Sequence, residues 1–150
     1  MVRLLTPLLL ALAHAKRKGC DLSSLEVGDQ CEASWSDLRD MLRPTQRSVG
    51  YAWVFRTFLK SFGSKAAAQD EMDDKIVPVT LGANRTDAYI LDHHHHLAAL
   101  DLSGYKSVKV TLFISCDFSS VPASQQLAQL ATRGYAYLYG RPAGSPNALR

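Results

Sequence analysis

The hydrophobic residues in the first half of the chain follow a helical spacing. Within residues 48–62, three large apolar side chains are spaced four apart: Val54, Phe58 and Phe62, with Trp53 and Phe55 beside them. This pattern predicts a helix over residues 48–62 whose apolar face is the main helical contribution to the core.

Shorter apolar runs elsewhere have the composition of strands. β-Branched and aromatic residues are concentrated in these runs, and both types favour extended backbone. Strands are predicted over residues 30–35, 76–81, 88–91 and 107–115, with an edge strand over residues 135–139. Helices are predicted over residues 97–102 and 124–133, the second capped by Ser119 or Ser120.

The remaining segments are predicted to be loops. Pro44 restricts the backbone of residues 42–46, and residues 63–75 are polar and end in an acidic run. We expect the acidic run to be solvated rather than to bind a divalent ion, because its carboxylates lack a ligand spacing. We expect Trp35, Trp53 and the tyrosines near the carboxyl terminus to pack in the core and at the sheet edge rather than to stack on bases.

Strands and helices thus alternate along the chain, and no internal repeat is found. The predicted fold class is α+β, with a small mixed β-sheet packed with helices in one domain.

The amino terminus has the layout of a secretory signal peptide. Arg3 precedes an apolar run over residues 4–12, and Ala13-His14-Ala15 is a small-x-small cleavage pattern. The run is shorter than the roughly 20 residues that a membrane-spanning helix needs. An apolar core helix is the alternative, but Pro7 disfavours it.

We therefore expect three segments and an extracytoplasmic protein. Residues 1–15 are the predicted signal peptide, residues 16–140 the domain and residues 141–150 a flexible tail. The predicted localisation is secreted or extracytoplasmic.

The net charge excludes few kinds of partner, whereas the number of cysteines bears on the redox state of the compartment. Without Arg3 the count of Lys and Arg falls from 17 to 16 against 14 acids, so a net charge of about +2 does not by itself favour nucleic acid. Three cysteines remain, which permit at most one internal disulfide in an oxidising compartment. We predict that Cys20 pairs with Cys31; the alternative is that all three are small unpaired residues.

Asn84-Arg85-Thr86 is an N-x-Thr acceptor between two predicted strands. In a protein secreted by a eukaryote, this turn position predicts a glycan on Asn84.

Four of the five histidines are consecutive: His93, His94, His95 and His96. They follow the predicted strand 88–91 and Asp92, and they precede the predicted helix 97–102. Neutral imidazole binds metals, protonated imidazole pairs with phosphate, and a titrating imidazole transfers protons near neutral pH. The pattern therefore predicts a functional site at a strand-to-helix junction.

Spacing restricts any metal site at this junction. On a helix only His93 and His96 share a face, whereas on extended backbone His93 pairs with His95, or His94 with His96. One divalent ion can therefore use two of the four, and we expect His93 and His95, with Asp92 as a ligand, general base or orienting group. The alternative is that one or two histidines cap the helix while the others are exposed.

Three segments of the sequence together resemble a known family. The residues LRPTQRSVG at 42–50, VPV at 77–79 and YILDHHHHLA at 89–98 are similar, in this order, to the ParB-like nuclease family, a branch of the ParB/sulfiredoxin-like fold. The resemblance covers about residues 30–118. Members of the family continue further than this chain, so the resemblance also implies a shortened member.

The resemblance implies a site that no single segment defines. In that fold the Pro-x-Gln stretch faces the strand-to-helix turn across a cleft that holds phosphate groups. ParB proteins carry Gly-Glu-Arg-Arg at this turn, where the present chain has histidines. Arg43, Thr45, Gln46 and His96 are then implied to bind phosphate, and the implied catalytic residues are Asp92, His93, His94 and His95.

The resemblance implies an enzyme, either a nuclease or phosphodiesterase or a phosphotransferase, that acts on a nucleotide or nucleic acid; no protein partner is indicated. The alternative is a noncatalytic module of the same fold that binds a nucleotide or another phosphate. Local alternatives also exist: Arg43 pairs with an acid such as Asp40, and Gln46 caps the helix that begins near Ser48.

Overall fold

The computed structural model describes residues 19–46 and 50–136, and within them one mixed five-stranded sheet is combined with five helices. The strands are β1 (Gln30–Ser34), β2 (Leu42–Pro44), β3 (Ile76–Leu81), β4 (Ala88–Ile90) and β5 (Lys109–Asp117). The helices are α1 (Trp35–Leu38), α2 (Tyr51–Ser61), α3 (Lys65–Asp73), α4 (His94–Ser103) and α5 (Ala123–Thr132). The predicted α+β class is confirmed.

The sheet has the strand order β1-β5-β3-β4-β2. β5 pairs antiparallel with β1 and parallel with β3, while β4 pairs antiparallel with β3 and parallel with β2. Val110, Leu112 and Ile114 of β5 are fully buried, as are Val77 and Val79 of β3. The alternating apolar positions of these two strands thus form the centre of the core.

The prediction of a loop over residues 42–46 is wrong in part. Leu42–Pro44 forms the edge strand β2, in which Leu42 pairs with Ala88 and Pro44 with Ile90. Proline removes one backbone donor, and a sheet edge tolerates this loss because only one side of the strand is paired. The consequence for the site is that Thr45 lies beside the end of β4.

The prediction of a solvated loop over residues 63–75 is also wrong, because Lys65–Asp73 forms α3. The side chain of Ser64 caps the helix by accepting a hydrogen bond from the backbone N–H of Ala67 at 3.1 Å. Ala68 and Met72, four residues apart, are buried. Because only these two residues of the helix are buried, no clear helical period of apolar residues stands out among the charged residues of the segment.

α2 has a narrower apolar contact with the core than its sequence predicted. Val54 and Phe62 are buried, but Trp53 and Phe55, which were expected to pack in the core, are 60% and 55% exposed. Trp35, by contrast, is buried as expected. The helix therefore exposes much of its surface, and the side with Trp53 borders the site described below.

The remaining helices are close to their predicted positions, but their ends differ. α4 begins at His94 rather than at Leu97, so the histidines belong to its first turn. The predicted cap of α5 by Ser119 or Ser120 is wrong, because Pro122 occupies the N-cap position without a side-chain hydrogen bond.

Only part of what was predicted for the two ends of the chain falls within the described residues. Tyr135 and Ala136 are not in a strand, and the rest of the predicted edge strand lies outside the described residues. The predicted signal peptide and tail lie outside them as well.

A disulfide joins Cys20 to Cys31 and ties the first described residues to β1. Asn84 is exposed in the 3-10 turn Ala83–Arg85. Among the residues that the structure describes, no helix has the length and apolar character needed to cross a membrane.

Candidate functional site

The histidine run forms a sharp strand-to-helix turn. β4 ends at Ile90, and α4 begins at His94 after His93 adopts a left-handed backbone with φ 63°. The carboxylate of Asp92 accepts a hydrogen bond from the backbone N–H of His93 at 2.6 Å. A left-handed conformation at a residue other than glycine costs about 1–3 kcal/mol, and such strain is concentrated at functional sites.

His94 anchors this turn to the neighbouring edge strand. Its side chain is buried, and the backbone N–H of Thr45 donates to its Nε2 at 3.3 Å. The Thr45 hydroxyl donates in turn to the carbonyl oxygen of Ile90 at 2.6 Å. Burial lowers the pKa of His94, which favours the neutral imidazole at pH 7.

His96 contacts an acidic residue that sequence reasoning did not include in the site. Its Nε2 lies 3.2 Å from a carboxylate oxygen of Glu71 on α3, and the Lys75 Nζ lies 3.4 Å from the same oxygen. Burial, followed by the charges of His95 and His93, lowers the pKa of His96 to about 4. Burial alone would raise the pKa of Glu71, but the Ser61 hydrogen bond and Lys75 outweigh it and lower that pKa. At neutral pH the pair is therefore a carboxylate with a neutral imidazole.

The neutral state of these histidines restricts their chemistry. The pKa of His93 is also lowered, chiefly by burial and against the opposing charge of Asp92. His93, His94 and His96 therefore supply little positive charge to a phosphate at pH 7. The positive charge near a bound anion must come from other side chains.

Positively charged side chains that can supply this charge are on α2, across a cleft from His95 and His96. The cleft has a volume of about 190 Å³ and lies between α2, α3 and the first turn of α4. It is lined by Trp53, Arg56, Thr57, Lys60, Ser61, Glu71, His95 and His96.

His95 has a central position within this lining. Its ring centroid is 4.1 Å from that of His96 and 6.4 Å from that of Trp53. The cleft thus combines two basic side chains, two imidazoles, a carboxylate and an exposed indole. This combination can bind an anion and exchange protons with it.

The structure brings together only some of the residues that the sequence predicted for the site. Asp92 closes the turn through the backbone of His93, and Thr45 is buried beneath His94 rather than in the cleft. The Arg43 guanidinium pairs with Asp87, at the opposite end of β4, with a separation of 3.4 Å. Arg43 thus pairs with an acid, as its alternative interpretation predicted, although the acid is Asp87 rather than Asp40. Gln46 is half-buried beside Thr45 and does not line the cleft.

Arg56, Lys60 and Glu71 were missed by sequence reasoning. Arg56 and Lys60 are four residues apart on the predicted helix, a spacing that places both on one face and could have identified them. Glu71 could not be found in this way, because the sequence predicts a loop for residues 63–75.

Within residues 19–46 and 50–136, the structure places no set of metal ligands around the histidines. In the described part of the chain, no three His, Cys, Asp or Glu side chains are grouped so that they could hold a metal ion. The two ring pairs in contact are His95 with His96 and His93 with His96, the latter with centroids 5.4 Å apart.

The fold and the cleft define an α+β domain of ParB-like type. The chain belongs to the family described as Putative ParB-like nuclease, whose model matches residues 38–149. The resemblance seen in the sequence is thereby confirmed.

A solved structure is also similar to the chain. Protein Atu1540 from Agrobacterium tumefaciens is 26% identical, with a TM-score of 0.58 over 75% of the present chain and 52% of its own. The present chain therefore spans about half the length of that relative. A search of curated proteins finds no match.

Proposed function

We propose that the chain is a nuclease-type phosphodiesterase domain whose substrate phosphate binds in the cleft between α2 and the first turn of α4. The observation that carries this proposal is the meeting of Arg56 and Lys60 with His95 and His96 in one cleft. Helix packing alone does not require two cations to face two imidazoles. Family membership favours the same function.

Positive charge in the cleft comes from two sources in this proposal. Arg56 and Lys60 attract the phosphate oxygens, and a guanidinium can bind two of them at once. The backbone N–H groups of His94 and His95 at the start of α4 add the positive end of the helix dipole. Arg43 has no part, because its guanidinium pairs with Asp87.

The imidazoles provide the proton transfer. His95 takes a proton from a water molecule, whose oxygen attacks phosphorus while the bond to the leaving oxygen breaks. The leaving oxygen then takes a proton from solvent, and His95 releases its own proton to solvent. His96 orients His95 by ring contact, and the carboxylate of Glu71, 3.2 Å from the Nε2 of His96, positions the ring of His96. His94 and Asp92 position the turn rather than touch the substrate.

Hydrolysis by the full chain tests the proposal. Bis-p-nitrophenyl phosphate and a single-stranded oligonucleotide are the substrates, assayed with Mg²⁺, Mn²⁺, Zn²⁺ or a chelator. Removing a general base lowers the rate by about 10²- to 10⁴-fold, so His95→Ala is expected to reduce kcat by at least about 100-fold with an unchanged melting temperature.

Arg56→Ala with Lys60→Ala is expected to raise KM, while Arg43→Ala, an exposed arginine outside the cleft, serves as the matched control. Full activity in His95→Ala, or a loss of activity in Arg43→Ala alone, would contradict this placement of the site. Phosphate binding by all variants without any turnover would favour the noncatalytic module.

We also propose that the protein is secreted. The Cys20–Cys31 disulfide supports an oxidising compartment, and the exposed Asn84 in its N-x-Thr triplet is accessible to a glycosyltransferase. Expression in a secreting eukaryotic host is expected to yield a chain that begins at Lys16 and carries a glycan on Asn84. Mass spectrometry of the medium checks both, with Thr86→Ala as the variant that loses the glycan but not secretion. Secreted material that retains residues 1–15 would contradict the proposed cleavage.

A further inference from the structure

Trp53 is unusual because it is a tryptophan exposed beside the candidate cleft. The chain has two tryptophans, and Trp35 is 6% exposed whereas Trp53 is 60% exposed. A single exposed apolar side chain is common on protein surfaces. An exposed indole that also lines a cleft presents a large, rigid aromatic face to whatever binds there.

Charged side chains surround this indole on its own helix. The Arg56 guanidinium carbon lies 5.4 Å from the centroid of the Trp53 ring, in a cation–π contact. Lys60 is one further turn along the same face of α2, since residues three and four apart on a helix are neighbours. The indole thus borders the two cations proposed to hold phosphate.

Trp53 is also distinct from the other exposed apolar residues of α2. Tyr51, Phe55 and Leu59 are 81%, 55% and 76% exposed, but they lie on a different face of the helix and outside the cleft. Of the exposed apolar residues in α2, all within the described part of the chain, Trp53 is the one whose side chain also lines the cleft. Its surroundings favour an anionic ligand that also carries an aromatic group.

We propose that Trp53 is a stacking platform for an unpaired base, and that the substrate of this cleft is single-stranded nucleic acid. An aromatic ring beside a positively charged groove is the arrangement by which proteins bind single strands without sequence readout. In a duplex the faces of the bases are covered by their neighbours, so an indole on a helix surface cannot reach them without unstacking. This inference rests on the proposed function, because it uses the phosphate position between Arg56, Lys60 and His95.

Binding of two oligonucleotides by the full chain separates base stacking from phosphate binding. One is a fluorescently labelled oligothymidylate, and the other is an abasic strand with the same number of phosphates. Trp53→Ala is expected to weaken binding of oligothymidylate by about tenfold, which corresponds to about 1.4 kcal/mol, and to leave binding of the abasic strand within about twofold. Trp53→Phe retains most of the affinity, because a phenyl ring also stacks.

Tyr51→Ala is the matched control, since it removes an exposed aromatic ring of the same helix from outside the cleft. It is expected to bind both strands like the unchanged chain. Fluorescence gives a second readout: oligothymidylate is expected to quench the emission of the unchanged chain but not that of Trp53→Phe, which retains only the buried Trp35.

Equal oligothymidylate binding by Trp53→Ala and the unchanged chain would overturn the inference. Tighter binding of a duplex than of the single strand would also overturn it, and so would a lack of oligothymidylate binding by the unchanged chain. Failure of the proposed function has a different signature. The abasic strand has phosphodiester bonds but no bases, so its hydrolysis depends on His95 and the two cations whether or not Trp53 stacks on bases.

Discussion

His96 is the residue whose proton affinity the fold changes most clearly. Its pKa is about 4 in the folded chain, whereas a histidine in an unfolded chain has a pKa of about 6.5. Between these values the unfolded state binds more protons, so the free energy of unfolding decreases as the pH falls from about 7.5 through 6.5 towards 4. The shift corresponds to at most about 3 kcal/mol.

Urea unfolding at a series of pH values measures this effect. His96→Gln is expected to flatten the dependence of stability on pH in this window, because glutamine does not titrate. Glu71→Gln is expected to steepen it, since the Glu71 carboxylate is the group that favours protonated His96. A His96→Gln profile that parallels that of the unchanged chain would show that other groups dominate.

At the scale of elements, the first turn of α4 depends on its attachment to β2. Thr45 is fully buried, and its hydroxyl donates to the Ile90 carbonyl while its backbone N–H donates to His94. Thr45→Val retains the shape but leaves the carbonyl without this donor. Leaving a buried polar group unpaired costs about 1–3 kcal/mol, so a loss of about 2 kcal/mol in the free energy of unfolding is expected.

Thr132→Val is the control for this change. Thr132 is exposed on α5, so the same substitution there is expected to alter stability by no more than about 0.5 kcal/mol. Equal effects of the two substitutions in urea unfolding would show that the Thr45 hydroxyl has no special role in holding the turn.

The helices α2 and α3 show why element predictions succeeded or failed. The spacing of Val54, Phe58 and Phe62 indicated α2 correctly, because a buried stripe repeats with the helical period. α3 buries only Ala68 and Met72, so its period was hidden among charged residues. Consequently Glu71, which this helix presents to His96, could not be placed beforehand.

At the scale of the whole molecule, the Cys20–Cys31 disulfide fastens the first described segment to the sheet. It closes a short loop between residues 11 positions apart. In the unfolded-chain entropy model, loops of this size contribute about 2–4 kcal/mol. Reductant is expected to lower the urea midpoint of the unchanged chain by the corresponding amount.

The double variant Cys20→Ser with Cys31→Ser is expected to be destabilised by the same amount and to be insensitive to reductant. Cys116→Ser retains the disulfide and should respond to reductant like the unchanged chain. A midpoint that does not change on verified reduction of the disulfide would show that the bridge adds no stability.

The sequence alone was sufficient for the fold class, the family and the position of the histidine turn. These features depend on local patterns: apolar spacing for α2, β-branched runs for β3 and β5, and the run from Asp92 to His96 between a strand and a helix. Patterns of this kind are visible because each residue is compared with its neighbours along the chain.

Only the tertiary structure decided which side chains share the site. Arg43 and Gln46 were expected opposite the histidines, but pairing of β2 with β4 directs Arg43 to Asp87 and places Thr45 beneath His94. The packing of α2 and α3 against α4 instead brings Arg56, Lys60 and Glu71 to His95 and His96. Strand register and helix packing set distances between residues remote in sequence, and burial then sets their pKa values, so neither could be obtained from residue order alone.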